Sequence, residues 1–154
     1  MRTLWNVVEG EILRCLYSNR VDDGLSKRTE ALALAAHVFM YLTLRQVPSR
    51  IPLVCRMCTR LQDAIRVAHT EREVWAGHKT ALLWIAFVGL LGTDIENGTG
   101  WNWFWHLFQS TLQQISQDFG IALETYDIQR MFRGFLWDEI YCQPLLVRLL
   151  IGVS

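Results

Sequence analysis

The residues whose types could do chemistry begin with the pair in Cys55-Arg56-Met57-Cys58. Thiolates at this spacing can hold zinc or cycle between dithiol and disulfide. A structural zinc site needs four ligands, ordinarily two close pairs. Here the other cysteines, Cys15 and Cys142, are single and distant. A redox pair of the thioredoxin kind belongs in a βαβ unit, and no such pattern surrounds these residues. Placed on a helix, Cys55 and Cys58 share the face that holds Val54 and Leu61. The expectation is that both serve as small buried hydrophobes.

The four histidines are His37, His69, His78 and His106. None belongs to a His-Glu-x-x-His helix, and no two stand four residues apart, so no zincin arrangement is encoded. Each is expected to be a buried histidine with one backbone partner. No Gly-x-Ser-x-Gly elbow exists to raise a serine nucleophile. Gly89, Gly92, Gly98 and Gly100 fit neither dinucleotide nor P-loop spacing, and no lysine follows them. Asp94 and Glu96 would put negative charge where a phosphate must sit. No catalytic residue, cofactor ligand or metal ligand is therefore assigned.

The densest aromatic cluster is Trp101-Asn102-Trp103-Phe104-Trp105-His106-Leu107-Phe108. Helical spacing puts Trp101, Trp105 and Phe108 on one face and turns Trp103 elsewhere. Aromatic side chains build cores, but they also dominate interface hot spots. Trp101, Trp103, Trp105 and His106 thus form the candidate partner or ligand surface. A rival reading is a helical enzyme or small-molecule carrier. It requires His106, Asp94 and Glu96 to converge on a pocket beside this cluster.

Seven helical segments would position these residues. The first spans about Thr3 to Tyr17, with Trp5, Val8, Ile12, Cys15 and Leu16 on one face. Ser26 caps a second that runs to about Arg45 and is apolar nearly all round, which predicts a central place. Pro48 and Pro52 bracket a rigid link. The third starts near Pro52 and carries the stripe Val54, Cys58, Leu61, Ile65 and Ala68. The fourth covers about Trp75 to Leu91 and stops at Gly92. The fifth runs from Asn102 to Phe119, with Trp105, Phe108, Leu112, Ile115 and Phe119 at helical spacing and Gly120 as its stop. The sixth runs from about Tyr126 to Tyr141, and its stripe is Ile128, Met131, Phe132, Phe135 and Ile140. Pro144 then opens a short apolar tail, Leu145 to Val153. Period-2 alternation is nowhere sustained. The fold class that follows is all-α, an irregular array of about six to seven packed amphipathic helices.

The chain has 154 residues, enough for a single helical domain or a fragment of a larger one. It is 51% apolar, above the usual share for a self-contained globule, which points to surface kept for a partner or another domain. Fifteen basic residues balance 15 acidic ones without a basic stripe, so direct nucleic-acid binding is not expected. The apolar runs Ala31 to Leu44 and Ala81 to Leu91 are too short to span a bilayer, and no membrane role is expected. Glu9 and Glu11 interrupt any export signal, so the cysteines are expected to stay reduced in nucleus or cytoplasm.

Three stretches in order resemble one family. Glu30 to Pro48 is similar to a small-apolar helix that ends in an Arg-x-x-Pro step, here Arg45-Gln46-Val47-Pro48. Leu82-Leu83-Trp84-Ile85-Ala86-Phe87-Val88-Gly89 is similar to a Leu-Trp-x-x-Phe-Val-Gly signature. Phe135-Leu136-Trp137-Asp138-Glu139-Ile140-Tyr141-Cys142-Gln143-Pro144 is similar to a closing Phe-Leu-Trp … Cys-x-x-Pro segment. Together these resemble the fungal-specific transcription factor domain, the helical region downstream of a zinc-binuclear-cluster DNA-binding module. The six-cysteine cluster of that module is missing, and the end of the chain is shorter than the family pattern leads one to expect. The resemblance implies a non-enzymatic regulatory segment, nuclear by association, that binds no cofactor and needs a protein partner or neighbouring domain. Self-association into a homo-oligomer is a further expectation. No effector molecule is specified by these residues.

Overall fold

Leu82 to Gly92 contains no polar side chain, so a helix there is stable only with protein on every side. In a computed structural model, which describes residues 24–43, 51–69, 75, 77–93 and 99–153, that is where it lies. Six helices occur among the described residues: α1 Gly24–Thr43, α2 Pro52–His69, α3 Lys79–Gly92, α4 Thr99–Phe119, α5 Thr125–Phe132 and α6 Glu139–Val153. The described residues contain no strand, and the all-α expectation holds. The segment expected over Thr3 to Tyr17 lies outside them.

Every residue from Leu82 to Gly92 is buried, so α3 is the axis of the array. Helix α1 packs along both α2 and α3, and α4 covers another side of α3. Each neighbour contributes one stripe. From α1 come Leu34, Ala35, Val38, Phe39 and Leu42; from α2 come Val54, Cys58, Leu61 and Ile65. Helix α4 contributes Phe104, Phe108, Leu112 and Ile115; of the expected stripe, Trp105 is only half-buried and Phe119 is 63% exposed. Burying each such Leu, Ile or Phe stabilises by about 1.5–3 kcal/mol relative to leaving it in water.

Helix ends follow local chemistry. Helix α4 stops where Gly120 takes φ +70°, and its N–H donates to the Gln117 carbonyl at 3.2 Å. Only glycine enters that left-handed region without strain. Gly92, expected to act in the same way, does something else. A Cβ there would lie 2.5 Å from Cys58 Sγ and 3.2 Å from Val38 Cγ1, so it is the close approach of α1 and α2 that demands glycine. Thr93 ends α3 instead, with extended backbone and its hydroxyl donating to the Gly89 carbonyl at 2.8 Å.

Five boundaries need correction. Helix α1 already begins at Gly24, so Ser26 lies inside it rather than before it, and α4 begins at Thr99, three residues ahead of Asn102. The fourth segment begins at Lys79, and Trp75 sits before it in a turn closed by His78 N–H to the Trp75 carbonyl at 2.8 Å. The single helix expected over Tyr126 to Tyr141 is two helices. It breaks after Phe132, where the Gly134 and Phe135 N–H groups turn back to the Met131 and Phe132 carbonyls at 3.1 and 2.9 Å. Phe135, Leu136 and Trp137 therefore lie on a link between α5 and α6. Pro144 does not open a tail but sits inside α6, which starts five residues earlier at Glu139. Its missing N–H removes one bond near the helix start, where the residue one turn back is the exposed Ile140.

Candidate functional site

The aromatic cluster occupies the first half of α4. Trp101 stacks on Trp105 with ring centroids 5.8 Å apart, and Trp105 stacks on Phe108 at 6.1 Å. The row runs inward from half-buried tryptophans to a fully buried Phe108. Trp103 lies on another side of the helix, edge-on to Phe104 and under the Arg66 guanidinium of α2, 5.5 Å from its ring centre. Such a cation–π contact contributes on the order of 0.5–1 kcal/mol at a partly exposed site.

Trp101, Trp103 and Trp105 all rest partly buried against the core. They act first as structure and offer solvent only their outer edges. His106 is exposed between them. Asp94 and Glu96, the acids that the pocket reading needs beside His106, lie outside the described residues. Among the described residues, no group of three His, Cys, Asp or Glu side chains comes close enough to hold a metal ion.

His37 is half-buried, with its ring 4.9 Å from Tyr41 one turn along α1. The two cysteines of α2 do not share a burial class as expected. Cys55 is exposed and Cys58 is 3% exposed. Three residues turn a helix by about 300°, enough to carry one thiol into the core and leave the other at its edge. Burial pushes the Cys58 thiol up to about 12, with a smaller contribution from Cys55 beside it. Burial likewise pushes Cys142 up to about 11, against a backbone hydrogen bond that favours its thiolate.

Among the described residues, a well-connected polar group is one that the sequence analysis did not single out. The Glu139 carboxylate at the start of α6 accepts from Trp137 Nε1 at 2.7 Å and from Gln129 Nε2 at 2.9 Å. Arg133 Nη2 lies 3.5 Å away. Glu139 thus ties α5, the link and α6 together. The hydrogen bond from Trp137 is the first cause holding its carboxyl below the ordinary glutamate range; those from Gln129 and Arg133 add to it against partial desolvation. A glutamate in the first turn also suits the helix dipole. Its signal in the sequence was Glu139 following Trp137 across a helix break, and the break itself was not foreseen.

The three stretches that carry the family resemblance meet around one side chain. Trp84 of α3 has Phe39 of α1 at 6.1 Å and Phe135 of the link stacked on it at 5.5 Å. Its indole N–H donates to the Leu136 carbonyl at 3.0 Å. Phe87, one turn on, packs against Phe132 at 5.0 Å and Trp137 at 6.2 Å. No protein-family model, curated protein or solved structure matches the chain. Among the described residues, no helix is long and apolar enough to cross a membrane.

Proposed function

We propose that this chain is a non-enzymatic regulatory segment resembling the helical region of fungal zinc-cluster transcription factors. It acts through a protein partner or a neighbouring domain, in the nucleus, without touching DNA itself. What supports this reading is the meeting of the three family-like stretches at Trp84. Phe39, Trp84, Phe135 and Leu136 come from separate parts of the chain, and each spends its side chain or carbonyl on the others. Residues that resemble a signature and do no chemistry are well accounted for as a scaffold. Such a scaffold leaves function to the outer surfaces of the helices. The balanced charge adds to this, because 15 basic residues are offset by 15 acidic ones with no basic stripe to track a phosphate backbone.

The test is a fusion of the full chain to a heterologous DNA-binding module in a fungal reporter strain. Reporter output should change several-fold relative to the module alone, and Trp84→Ala, which dismantles the scaffold, should cancel the change. Unaltered output from a well-expressed fusion would overturn the regulatory reading. Salt-sensitive DNA binding by the unfused chain would overturn the absence of DNA contact.

A further inference from the structure

We infer that Cys55 and Cys58 form a reversible redox pair, which closes to an intrahelical disulfide by exchange with a small-molecule disulfide of the glutathione type. The inference stands apart from the regulatory reading and can fail without it.

The pair is asymmetric in the way that exchange requires. Cys55 is exposed on α2, so an incoming disulfide can reach this residue from solvent. Cys58, one turn on, is buried at 3% exposure, with its sulfur seated over Gly92 of α3. In a regular helix, residues three apart have Cα atoms about 5 Å apart, inside the roughly 4.4–6.8 Å that a disulfide spans. Their Cβ atoms lie about 5–6 Å apart, where a disulfide needs about 3.5–4.5 Å. Closure must therefore draw the side chains together by about 1 Å or more.

That movement has one place to go. Cys58 is fixed by α1 and α3, whereas Cys55 is in the second turn of α2. Its N–H bond to the Ile51 carbonyl, 3.1 Å, is the first that the helix makes. Ile51, Pro52 and Leu53 are all exposed, and Val54 is the one core side chain between them and Cys55, so closure works on the Cys55 side chain and the exposed entry rather than on the packed turns beyond. A disulfide closed under strain is readily reduced, so the pair is reversible rather than a staple.

The electrons balance as follows. The Cys55 thiolate attacks glutathione disulfide, forms a mixed disulfide and releases one glutathione thiolate. Cys58 gives its proton to solvent, and its sulfur attacks the Cys55 sulfur and expels the second glutathione, which takes up a proton. Two protein thiols are oxidised and one glutathione disulfide is reduced to two thiols. Cys58 does not start the sequence, because burial keeps its thiol covered and protonated until the mixed disulfide has formed beside it.

The test treats the full chain with glutathione disulfide and maps the peptide holding both cysteines by mass spectrometry. The expected product is that peptide lighter by two hydrogens, restored by dithiothreitol. Cys58→Ala should stop at the mixed disulfide on Cys55, and Cys55→Ser should leave Cys58 unmodified while folded. Should Cys58→Ala not fold, timed alkylation of the wild-type chain decides. Cys55 should be labelled at least tenfold faster than Cys58. A wild-type chain that accumulates only the mixed disulfide, or one that labels both thiols at equal rates, overturns the inference.

Discussion

At the residue scale, the interactions that organise this fold are few and specific. Glu139 gathers donors from Trp137, Gln129 and Arg133. In an unfolded chain its carboxyl would titrate near about 4.3, and in the fold these donors hold it lower. A carboxyl with a depressed folded pKa contributes stability that is fully present above the unfolded value and lost as pH falls through the folded one. The urea midpoint should therefore fall on acidification from about pH 5 to about pH 3, and Glu139→Gln should flatten part of that fall. An unchanged acid slope in the variant would show that the carboxylate is not the titrating group. Gly89 makes a second residue-scale point. A Cβ there would overlap the ring of Phe104, which is fully buried and has nowhere to retreat. Gly89→Ala should cost about 1–3 kcal/mol from overpacking, despite a helix-propensity gain of about 1 kcal/mol. Chemical denaturation measures it, and a rise in stability would mean that α3 and α4 part freely.

At the scale of elements, apolar period and turn residues made most of the array legible. The stripes of α2 and α4 emerged at the spacing read from Val54, Leu61 and Ile65 and from Phe108, Leu112 and Ile115, because a 3.6-residue apolar period buries one face of a helix wherever nothing tertiary competes for its backbone. Gly120 was legible as a stop for the same local reason. The break after Phe132 was not, because Ile128, Met131, Phe132 and Phe135 continue a helical period straight through it. What decides against the helix there is tertiary: Trp84 needs the Leu136 carbonyl, which an unbroken helix would tie up internally. Cys55 was misread because one helical stripe was taken to include both thiols, although the burial edge runs between them. The link should thus be held by α3 rather than by its own propensity. Phe135 is half-buried on Trp84, so Phe135→Ala should cost about 2–3 kcal/mol, below the roughly 3–5 kcal/mol of a fully buried phenylalanine. Trp84→Phe keeps the ring but strands the Leu136 carbonyl, and should cost at least about 1 kcal/mol. A shift near zero for both in equilibrium denaturation would mean that the link is positioned by α5 and α6 alone.

At the scale of the whole molecule, the apolar excess divides unevenly. The core around α3 absorbs most of it, but the later part of the chain leaves large side chains in water. Phe119, Ile121 and Tyr126 are 63%, 60% and 66% exposed around the turn into α5. Ile140 is 90% and Val147 37% exposed on α6, seven residues apart and so on one helical stripe, with Ile151 at 70% four residues beyond. Singly, such residues are ordinary; in a row along one helix they make a surface that water does not favour. Helix α6 still has a buried side, through Cys142, Leu146 and Leu149, so it is docked on one face and bare on the other. That division leads us to predict self-association of the isolated chain at micromolar concentration, with the bare face of α6 inside the contact. Sedimentation velocity over a range of concentrations should show the weight-average mass rising. The double variant Ile140→Lys, Ile151→Lys should suppress that rise while leaving helix content and unfolding midpoint nearly unchanged, because these two side chains stand mostly in solvent, 90% and 70% exposed. A wild-type chain that sediments as a monomer throughout would mean that the face waits for a different partner or none. Association that survives the double variant would move the contact to the turn around Phe119, Ile121 and Tyr126.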